Sequence, residues 1–168
     1  MQSDENLILE YQRGSPGAFN ELFARYREPI YGFFRRRLPD RQRAEDLTQE
    51  TFLAVNCGAA RYEPRSLVRT YLYGIALKLV ASERRKFART SGSAGPEPVA
   101  PPPCEARIWI REALEKLDAS EREVLMLREY EQLSYNEIAA LLRLPLNTVR
   151  TRLFRARLTL KEELHATH

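Results

Sequence analysis

The sequence has few of the residues that metal sites, disulfide frameworks and most catalytic centres require. Its two cysteines, Cys57 and Cys104, stand alone among 168 residues, with no CxxC pair and no nearby histidine pair. The two histidines, His165 and His168, are among the last residues, and neither a nucleophile with its base nor a phosphate-cradling glycine loop is present. We therefore expect no enzyme, no metal and no cofactor, and a reducing cytoplasm as the natural setting.

Long apolar runs are also missing. The longest is a few residues, far short of the ~18 that span a membrane, and Asp4 and Glu5 stand where a signal peptide would be basic. We expect a protein that is neither exported nor inserted in a membrane. Its 43% hydrophobic content is that of a folded protein, and 168 residues suffice for one domain or two small ones.

One segment, residues 88–104, differs in composition from the rest. It contains five of the ten prolines and two glycines but no aromatic residue, which predicts a semi-stiff linker. A disordered surface loop is the alternative. Elsewhere the apolar spacing is helical and no segment alternates as a strand does. The sequence therefore predicts an all-α protein with two small helical domains, residues 1–87 and 105–168.

Three helices are expected in the first domain. The first starts at Ser15 and Pro16, a cap followed by proline, and Pro29 falls within it. Its apolar stripe comprises Phe19, Leu22, Phe23, Tyr26, Ile30, Phe33 and Phe34. The second follows Asp40, with Ala44, Leu47, Thr48, Thr51, Phe52 and Val55 on one face and Asp46, Gln49, Glu50 and Leu53 on the other. The third starts at Ser66, with Val68, Tyr71, Leu72, Ile75, Leu79 and Val80 as its apolar side.

The second domain carries a strong charge gradient. Residues 105–137 hold 5 basic and 9 acidic groups, whereas residues 143–161 hold 6 basic groups and no acidic one. Such a positive end is suited to a phosphate backbone. An initial helix is marked by Ile110, Ala113, Leu114 and Leu117, and two S-x-x-E capping boxes, starting at Ser120 and Ser134, predict two helix starts.

A helix-turn-helix follows from the remaining signals. The helix after Ser134 buries Ile138, Ala139 and Leu142 and ends before Pro145; the next is capped by Asn147 and buries Val149, Leu153, Ala156 and Leu160. On its opposite face Arg150, Thr151, Phe154 and Arg155 project together, in the position from which a recognition helix reads base edges. Arg152 and Arg157 suit phosphates. A basic solvated helix without a ligand is the alternative.

Three segments in this order resemble the extracytoplasmic-function (ECF) group of bacterial RNA polymerase sigma factors. Residues 44–53, AEDLTQETFL, are similar to AEDLxQExFL, and residues 69–76, RTYLYGIA, to RTWLYxIA. Residues 133–157, LSYNEIAALLRLPLNTVRTRLFRAR, resemble LSYxEIAxxLGxPxGTVxSRLxRAR. The resemblance covers nearly the whole chain, including the intervening linker.

The resemblance implies roles for both domains in promoter-specific initiation. The first, sigma domain 2, would dock on the largest-subunit coiled coil of core polymerase through Asp46, Gln49, Glu50 and Leu53. It would capture the melted minus-ten strand with Arg61, Tyr62, Tyr71, Tyr73, Lys78, Arg84 and Arg85. Tyr71 also lies on the apolar stripe, so Tyr73 is the better exposed candidate. The alternative for the docking residues is a solvated acidic face.

The second domain, sigma domain 4, would contact the polymerase flap region and read the minus-thirty-five element. Its implied DNA contacts are Asn147, Thr148, Arg150, Thr151, Arg152, Phe154, Arg155 and Arg157. The chain departs from the family pattern at Tyr71, Lys78 and Ser82, usually tryptophan, asparagine and aspartate, and at Asn147, usually glycine. These first three changes affect the strand-capturing module.

The implied partners are core polymerase, promoter DNA and an anti-sigma factor, and the free chain would be a monomer that binds DNA weakly. The competing hypothesis is a free-standing dimeric helix-turn-helix regulator, although no dimerising heptad is present. Oxidation sensing by Cys57 or Cys104 is a further hypothesis, against plain packing or surface roles.

Overall fold

The computed structural model describes residues 1–90 and 105–166, with side chains from residue 108 in the second stretch. These residues form eight α-helices and one short 3₁₀ helix, and no strand occurs within those ranges. The chain divides into two compact units, residues 1–98 and 99–168. The all-helical prediction is confirmed, whereas residues 91–104 of the predicted linker lie outside the described residues.

The first helix, α1 (Asp4–Gln12), was not predicted from the sequence. Its N-terminus is capped by Ser3, whose Oγ accepts from the Asn6 amide at 3.2 Å, and Asp4 and Glu5 favour the positive end of the helix dipole. Leu7 and Ile8 are fully buried. Two adjacent buried residues produce no stripe of helical period, which is why the pattern did not reveal this helix.

Helices α2 (Pro16–Arg37) and α3 (Arg41–Gly58) agree closely with the prediction. Pro16 is the first residue of α2, although the Ser15 side chain makes no cap hydrogen bond, and the helix continues through Pro29. In α3 the Asp40 carboxylate accepts from the amides of Gln42 at 2.9 Å and Arg43 at 3.4 Å. All six predicted core residues of α3 are buried.

Helix α4 (Val68–Arg89) follows a short 3₁₀ helix, Ala59–Arg61, and differs from the prediction in three respects. It starts two residues after Ser66, and it includes Ala88 and Arg89, which the sequence assigned to the linker. Its buried side is rotated towards Tyr73 and Ala76, while Ile75 and Leu79 are only half-buried. The cause is packing, because the Tyr73 ring lies 5.6 Å from that of Phe33 in α2.

An ion-pair network joins α3 to α4. Arg43 contacts Glu83 through two hydrogen bonds, of which the Nε–Oε2 bond is 2.8 Å, and its Nη1 lies 3.6 Å from Glu50 and 3.8 Å from Asp46. Lys86 lies 3.6 Å from the same Glu83 carboxylate. Hydrogen bonding to Arg43 holds the pKa of Glu83 below its usual range, against the opposing effect of partial burial.

The second unit contains α5 (Glu105–Glu115), α6 (Ala119–Glu129), α7 (Tyr135–Leu142) and α8 (Leu146–Ala166). Its most deeply buried side chains come from α6, α7, α8 and the segment before α7: Val124, Leu127, Leu133, Ile138, Val149, Leu153 and Ala156. Of the apolar residues expected to mark the core side of α5, Ala113 and Leu117 are buried, Leu114 is half-buried, and Ile110 is 45% exposed. The predicted stripe was therefore wrong at Ile110.

The capping predictions for this unit had mixed outcomes. The box at Ser134 is confirmed: its Oγ accepts from the Glu137 amide at 3.1 Å, and the Glu137 carboxylate accepts from the Ser134 amide at 2.6 Å. The box at Ser120 is wrong, because Asp118 caps α6 by accepting from the Ser120 amide at 3.0 Å. Asn147 is the second residue of α8 rather than its cap. Helix α7 ends at Leu142, before Pro145 as expected, and α8 starts directly after Pro145.

The turn between α7 and α8 depends on a strained residue. Arg143 has φ 54° and ψ 48°, the left-handed conformation usual for glycine at this position. Its position lets the Leu144 amide donate to the Ala139 carbonyl at 2.9 Å, closing the end of α7. The turn therefore costs strain that a glycine would not incur.

We expect Arg143→Gly to raise the free energy of unfolding of the second unit by about 0.5–1 kcal/mol, since it removes the left-handed strain. Trp109, the only tryptophan, belongs to this unit, so its fluorescence in a urea titration reports the change. Arg143→Ala is the matched control, because it removes the charge and keeps the strain. Equal stabilisation by alanine and glycine would contradict this explanation.

The Arg43–Glu83 pair predicts a specific acid sensitivity. The pKa of Glu83 is lowered in the folded protein, so its stabilisation is present above the unfolded value of about 4.5 and is lost as pH falls through the folded value. Glu83→Gln should cost about 1–2 kcal/mol at pH 7, with the deficit shrinking below pH 4.5. Circular dichroism melts of the full chain between pH 3 and pH 7 measure this difference.

The matched control is Glu45→Gln. It removes the exposed 3.5 Å ion pair between Arg41 and Glu45, both of which lie on α3. An exposed pair contributes little, so this variant should melt like the parent at each pH. A Glu83→Gln deficit that stays constant across the pH range would show that the ion pair is not its source.

Candidate nucleic-acid and partner-binding surfaces

The exposed face of α8 is the first candidate surface. Arg150, Thr151, Phe154 and Arg155 are all exposed, Phe154 to 68%, as the sequence predicted. The opposite face is fixed by burial of Val149, Leu153 and Ala156, while Leu160, predicted to be core, is half-buried. Because the buried face leaves no rotational freedom, the four side chains are presented together on one side of the helix.

The hydrogen bonds of this face limit what each group can offer. The Thr151 hydroxyl donates to the Asn147 carbonyl at 2.9 Å, so it presents its methyl group and an accepting oxygen rather than a free proton. Asn147 is exposed and Thr148 is half-buried in the first turn of α8. Phe154 supplies an apolar surface of the kind that contacts thymine methyl groups.

The two flanking arginines differ from each other. Arg157 is engaged by Glu129 at 2.9 Å and by the Tyr135 hydroxyl at 3.4 Å, and these hydrogen bonds raise the pKa of its guanidinium. Arg152 is half-buried. The pKa of Asp118 is lowered mainly by hydrogen bonds from Ser120, with a smaller contribution from the charge of Arg152. To contact a phosphate, Arg157 would have to give up its ion pair with Glu129.

Two further side chains of this face were missed from the sequence. Leu158 is 46% exposed and lies one turn beyond Phe154, and Lys161 follows it. Both line a shallow groove with Phe154, Tyr135 and Arg157. The spacing i, i+4 and i+7 from Phe154 was the signal that could have found them.

A second candidate surface lies on α3. Leu53 is 61% exposed, Gln49 and Glu50 are exposed, and Asp46 is half-exposed, as predicted. Arg43, which the sequence analysis did not place on this face, lies within reach of Asp46 and Glu50, and the helical spacing i, i+3 and i+7 was the signal that could have found it. This surface is therefore acidic and apolar with one arginine at its edge, an arrangement suited to a partner that offers cations beside an apolar side chain.

The third candidate surface comprises the segment before α4 and the exposed side of α4. Arg61, Lys78, Arg84 and Arg85 are exposed, as a phosphate-tracking role requires. The expectation that Tyr73 is the exposed aromatic is wrong, because it is 2% exposed and packs on Phe33. Of the aromatic candidates, Tyr71 is the one that is half-buried rather than buried.

Tyr62 is also removed from solvent. It is 8% exposed, and its hydroxyl donates to the Ser66 carbonyl across the segment that leads into α4. Its ring lies 5.5 Å from that of Tyr71. Tyr71 in turn packs on Gly58, where a Cβ atom would come 2.5 Å from the Tyr71 hydroxyl oxygen. Tyr62 thus supports the half-buried Tyr71 from inside the unit, and Arg61, the residue before Tyr62, is exposed.

Other kinds of site receive no support from the residues described. Within residues 1–90 and 105–166 we find no group of three or more side chains arranged to hold a metal ion. None of the helices in these ranges combines the length and apolar character needed to cross a membrane. Cys57 is exposed, and Cys104 lies outside the described residues.

Known protein families match segments in both units of the chain. The family model for sigma-70 region 2 matches residues 22–90, and that for sigma-70 region 4 matches residues 107–160. The RNA polymerase sigma-H factor of Pseudomonas aeruginosa is 31% identical over 93% of this chain and 91% of its own length. The ECF RNA polymerase sigma-E factor of Escherichia coli is 32% identical over 92% of this chain and 91% of its own length.

Two solved structures are similar as well. The structure of CnrH in complex with the cytosolic domain of CnrY has a TM-score of 0.76 and 25% identity, covering 99% of this chain and 100% of that one. The sigma factor RpoE in complex with the anti-sigma factor NepR from Bartonella quintana has a TM-score of 0.74 and 25% identity, covering 89% and 98%.

These matches span both modules, which leaves the hypothesis of a free-standing dimeric regulator without support. A regulator of that kind would account for the helix-turn-helix of the second unit and not for the first unit. The chain belongs to the ECF group of the sigma-70 family, the sigma factors that direct promoter-specific transcription initiation by RNA polymerase.

Proposed function

We propose that the two units of this sigma factor divide promoter recognition between them. The second unit reads the duplex minus-thirty-five element, and the first unit docks on core polymerase and captures the unwound minus-ten strand. The observation that carries this proposal is the exposed face of α8, where Arg150, Thr151, Phe154 and Arg155 lie within a stretch of six basic and no acidic residues.

Readout of the upstream element would depend mainly on Arg150 and Arg155. An exposed guanidinium can bond two acceptors of a guanine edge at once, which distinguishes bases as well as binding them. Asn147 and Thr148 lie in the first turn of α8, and Arg152 flanks the reading face. Contacts from these positions to phosphates would fix the position of the helix along the duplex. Arg157 would join them only by exchanging Glu129 for a phosphate.

Docking on the largest-subunit coiled coil would use Asp46, Gln49, Glu50 and Leu53. Leu53 supplies the apolar centre, since a leucine exposed to 61% gains by burial, and the carboxylates around it select a cationic partner. The polymerase flap is the proposed contact of the other unit. An anti-sigma factor is a further proposed partner, by analogy with the solved complex of RpoE and NepR.

Capture of the unwound strand would use Arg61, Lys78, Arg84 and Arg85 for phosphates and Tyr71 as the aromatic platform. Tyr62 and Tyr73 support this surface from inside and do not themselves stack on bases. Binding energy for the unstacked strand then offsets the cost of melting. The chain contributes no catalytic group, because the polymerase carries out nucleotidyl transfer. Both proteins act in the cytoplasm, where the promoter DNA is.

Run-off transcription with purified bacterial core polymerase, with and without this protein, tests the function on fragments upstream of its own gene. Initiation at a defined start only when both are present is expected, together with a monomeric mass in size-exclusion chromatography with light scattering. A stable dimer that leaves core polymerase inactive would overturn the proposal.

Reversal of charge at the docking surface should weaken polymerase assembly. We expect Glu50→Lys to raise the dissociation constant for core about 10-fold to 100-fold, because it places a cation where a cationic partner must dock. Fluorescence anisotropy of labelled protein titrated with core measures this constant. Glu28→Lys, an exposed position on α2, is the control and should bind like the parent. Equal loss in both variants would point to net charge rather than to this surface.

Removal of a base-reading arginine should change selectivity and not only affinity. We expect Arg150→Ala in the holoenzyme to cost about 1–3 kcal/mol and to reduce discrimination at one base pair of the upstream element. Competition binding against promoters with single changes in that element measures discrimination. Arg111→Ala, which removes an exposed arginine of α5 outside this face, is the control and should leave the base preference unchanged. Uniform weakening on every sequence by Arg150→Ala would reassign Arg150 to phosphate.

A further inference from the structure

The segment between α3 and α4, residues 59–67, is held in place by α1, which lies outside the matched sigma-70 region 2. The Gln12 side-chain amide donates to the Ala59 carbonyl at 2.6 Å and to the Tyr62 carbonyl at 2.9 Å. Both protons of one amide are thus used to fix two backbone positions around Arg61. A single side chain sets the course of the chain through this turn.

The other end of the segment is held by Glu5. Its Oε1 accepts from the backbone amide of Val68 at 3.2 Å, the first residue of α4. Leu67, which precedes it, offers no capping side chain, so Glu5 supplies from α1 the acceptor that the N-terminus of α4 lacks. Its negative charge is also favourable at that end of the helix dipole. Burial, and to a smaller extent the charge of Glu5, raise the pKa of Tyr62.

Helix α1 is itself firmly attached to α2. Leu7 and Ile8 are buried, and Asp4 pairs with Arg25 at 2.7 Å and accepts a hydrogen bond from Tyr26. The Arg25 guanidinium also donates to the Gln2 carbonyl at 2.7 Å. The three hydrogen bonds of Gln12 and Glu5 therefore come from a fixed element and can transmit its position.

We propose that Gln12 and Glu5 are positioning residues that preorganise the segment for the unwound promoter strand. By holding the backbone at Ala59, Tyr62 and Val68 before the strand arrives, they reduce the conformational entropy that ordering it would cost. Arg61 is exposed, and the rings of Tyr62 and Tyr71 stay packed 5.5 Å apart. This inference rests on the proposed role of the first unit in strand capture.

The test uses two nearly isosteric variants of the full chain assembled with core polymerase. Gln12→Glu turns the two-proton donor into a carboxylate facing two carbonyl oxygens, and Glu5→Gln removes the charge at α4. Glu10→Gln is the matched control, on the same helix and with the same chemical change as Glu5→Gln. Three quantities are measured: core affinity, binding of a forked promoter fragment with an unpaired minus-ten strand, and permanganate reactivity of thymines in a duplex promoter.

We expect both variants to bind core within two-fold of the parent and to lose about ten-fold in forked-fragment affinity and in the rate of opening. The control should match the parent in all three measurements. Opening and forked-fragment binding equal to those of the control would overturn the positioning role. A parallel loss of core affinity would also overturn it, by showing that the contacts stabilise the whole unit rather than position this segment. If the parent itself opens no promoter with core, the proposed function fails instead.

Discussion

The contact between Phe33 and Tyr73 fixes the rotation of α4, and the surfaces of the first unit depend on that rotation. With the Tyr73 ring 5.6 Å from Phe33, Leu72, Ala76 and Val80 also face the core. Lys78, Arg84 and Arg85 are consequently exposed. A helix can bury only one side, so a change in this packing would alter both the basic surface and the position of Glu83 relative to Arg43.

In the second unit, too, burial of one side of a helix determines which side chains are exposed on the other. Val149, Leu153 and Ala156 bury one side of α8, so that Arg150 and Arg155 are exposed on the other. The turn before α8 accepts a left-handed Arg143 to bring α7 and α8 together. Ion pairs of Lys116 with Glu163 and of Glu129 with Arg157, the latter at 2.9 Å, also join α8 to the end of α5 and to α6.

How far the sequence predicts this structure depends on whether contacts local in the sequence or contacts between distant residues determine which face of a helix is buried. The faces of α3 followed from clean helical spacing and a strong Asp40 cap, so its core and its exposed docking candidates were both predicted correctly. Tyr71 and Tyr73 are about 200° apart around α4, and packing against residues distant in the sequence, such as Phe33 forty residues away, determines which one is buried. Spacing along one helix could not reveal this. Likewise, Gln12 bonds carbonyls some fifty residues distant, which no local pattern encodes.

The central claim is that one polymerase-bound chain reads two separate promoter elements and opens one of them. Enzymatic footprinting combined with permanganate probing of a single promoter, with this protein alone, core alone and both together, tests it most directly. The account predicts two protected regions and reactive thymines in the downstream one only when both components are present. A compact symmetric footprint produced by the protein alone, without reactive thymines, would contradict it.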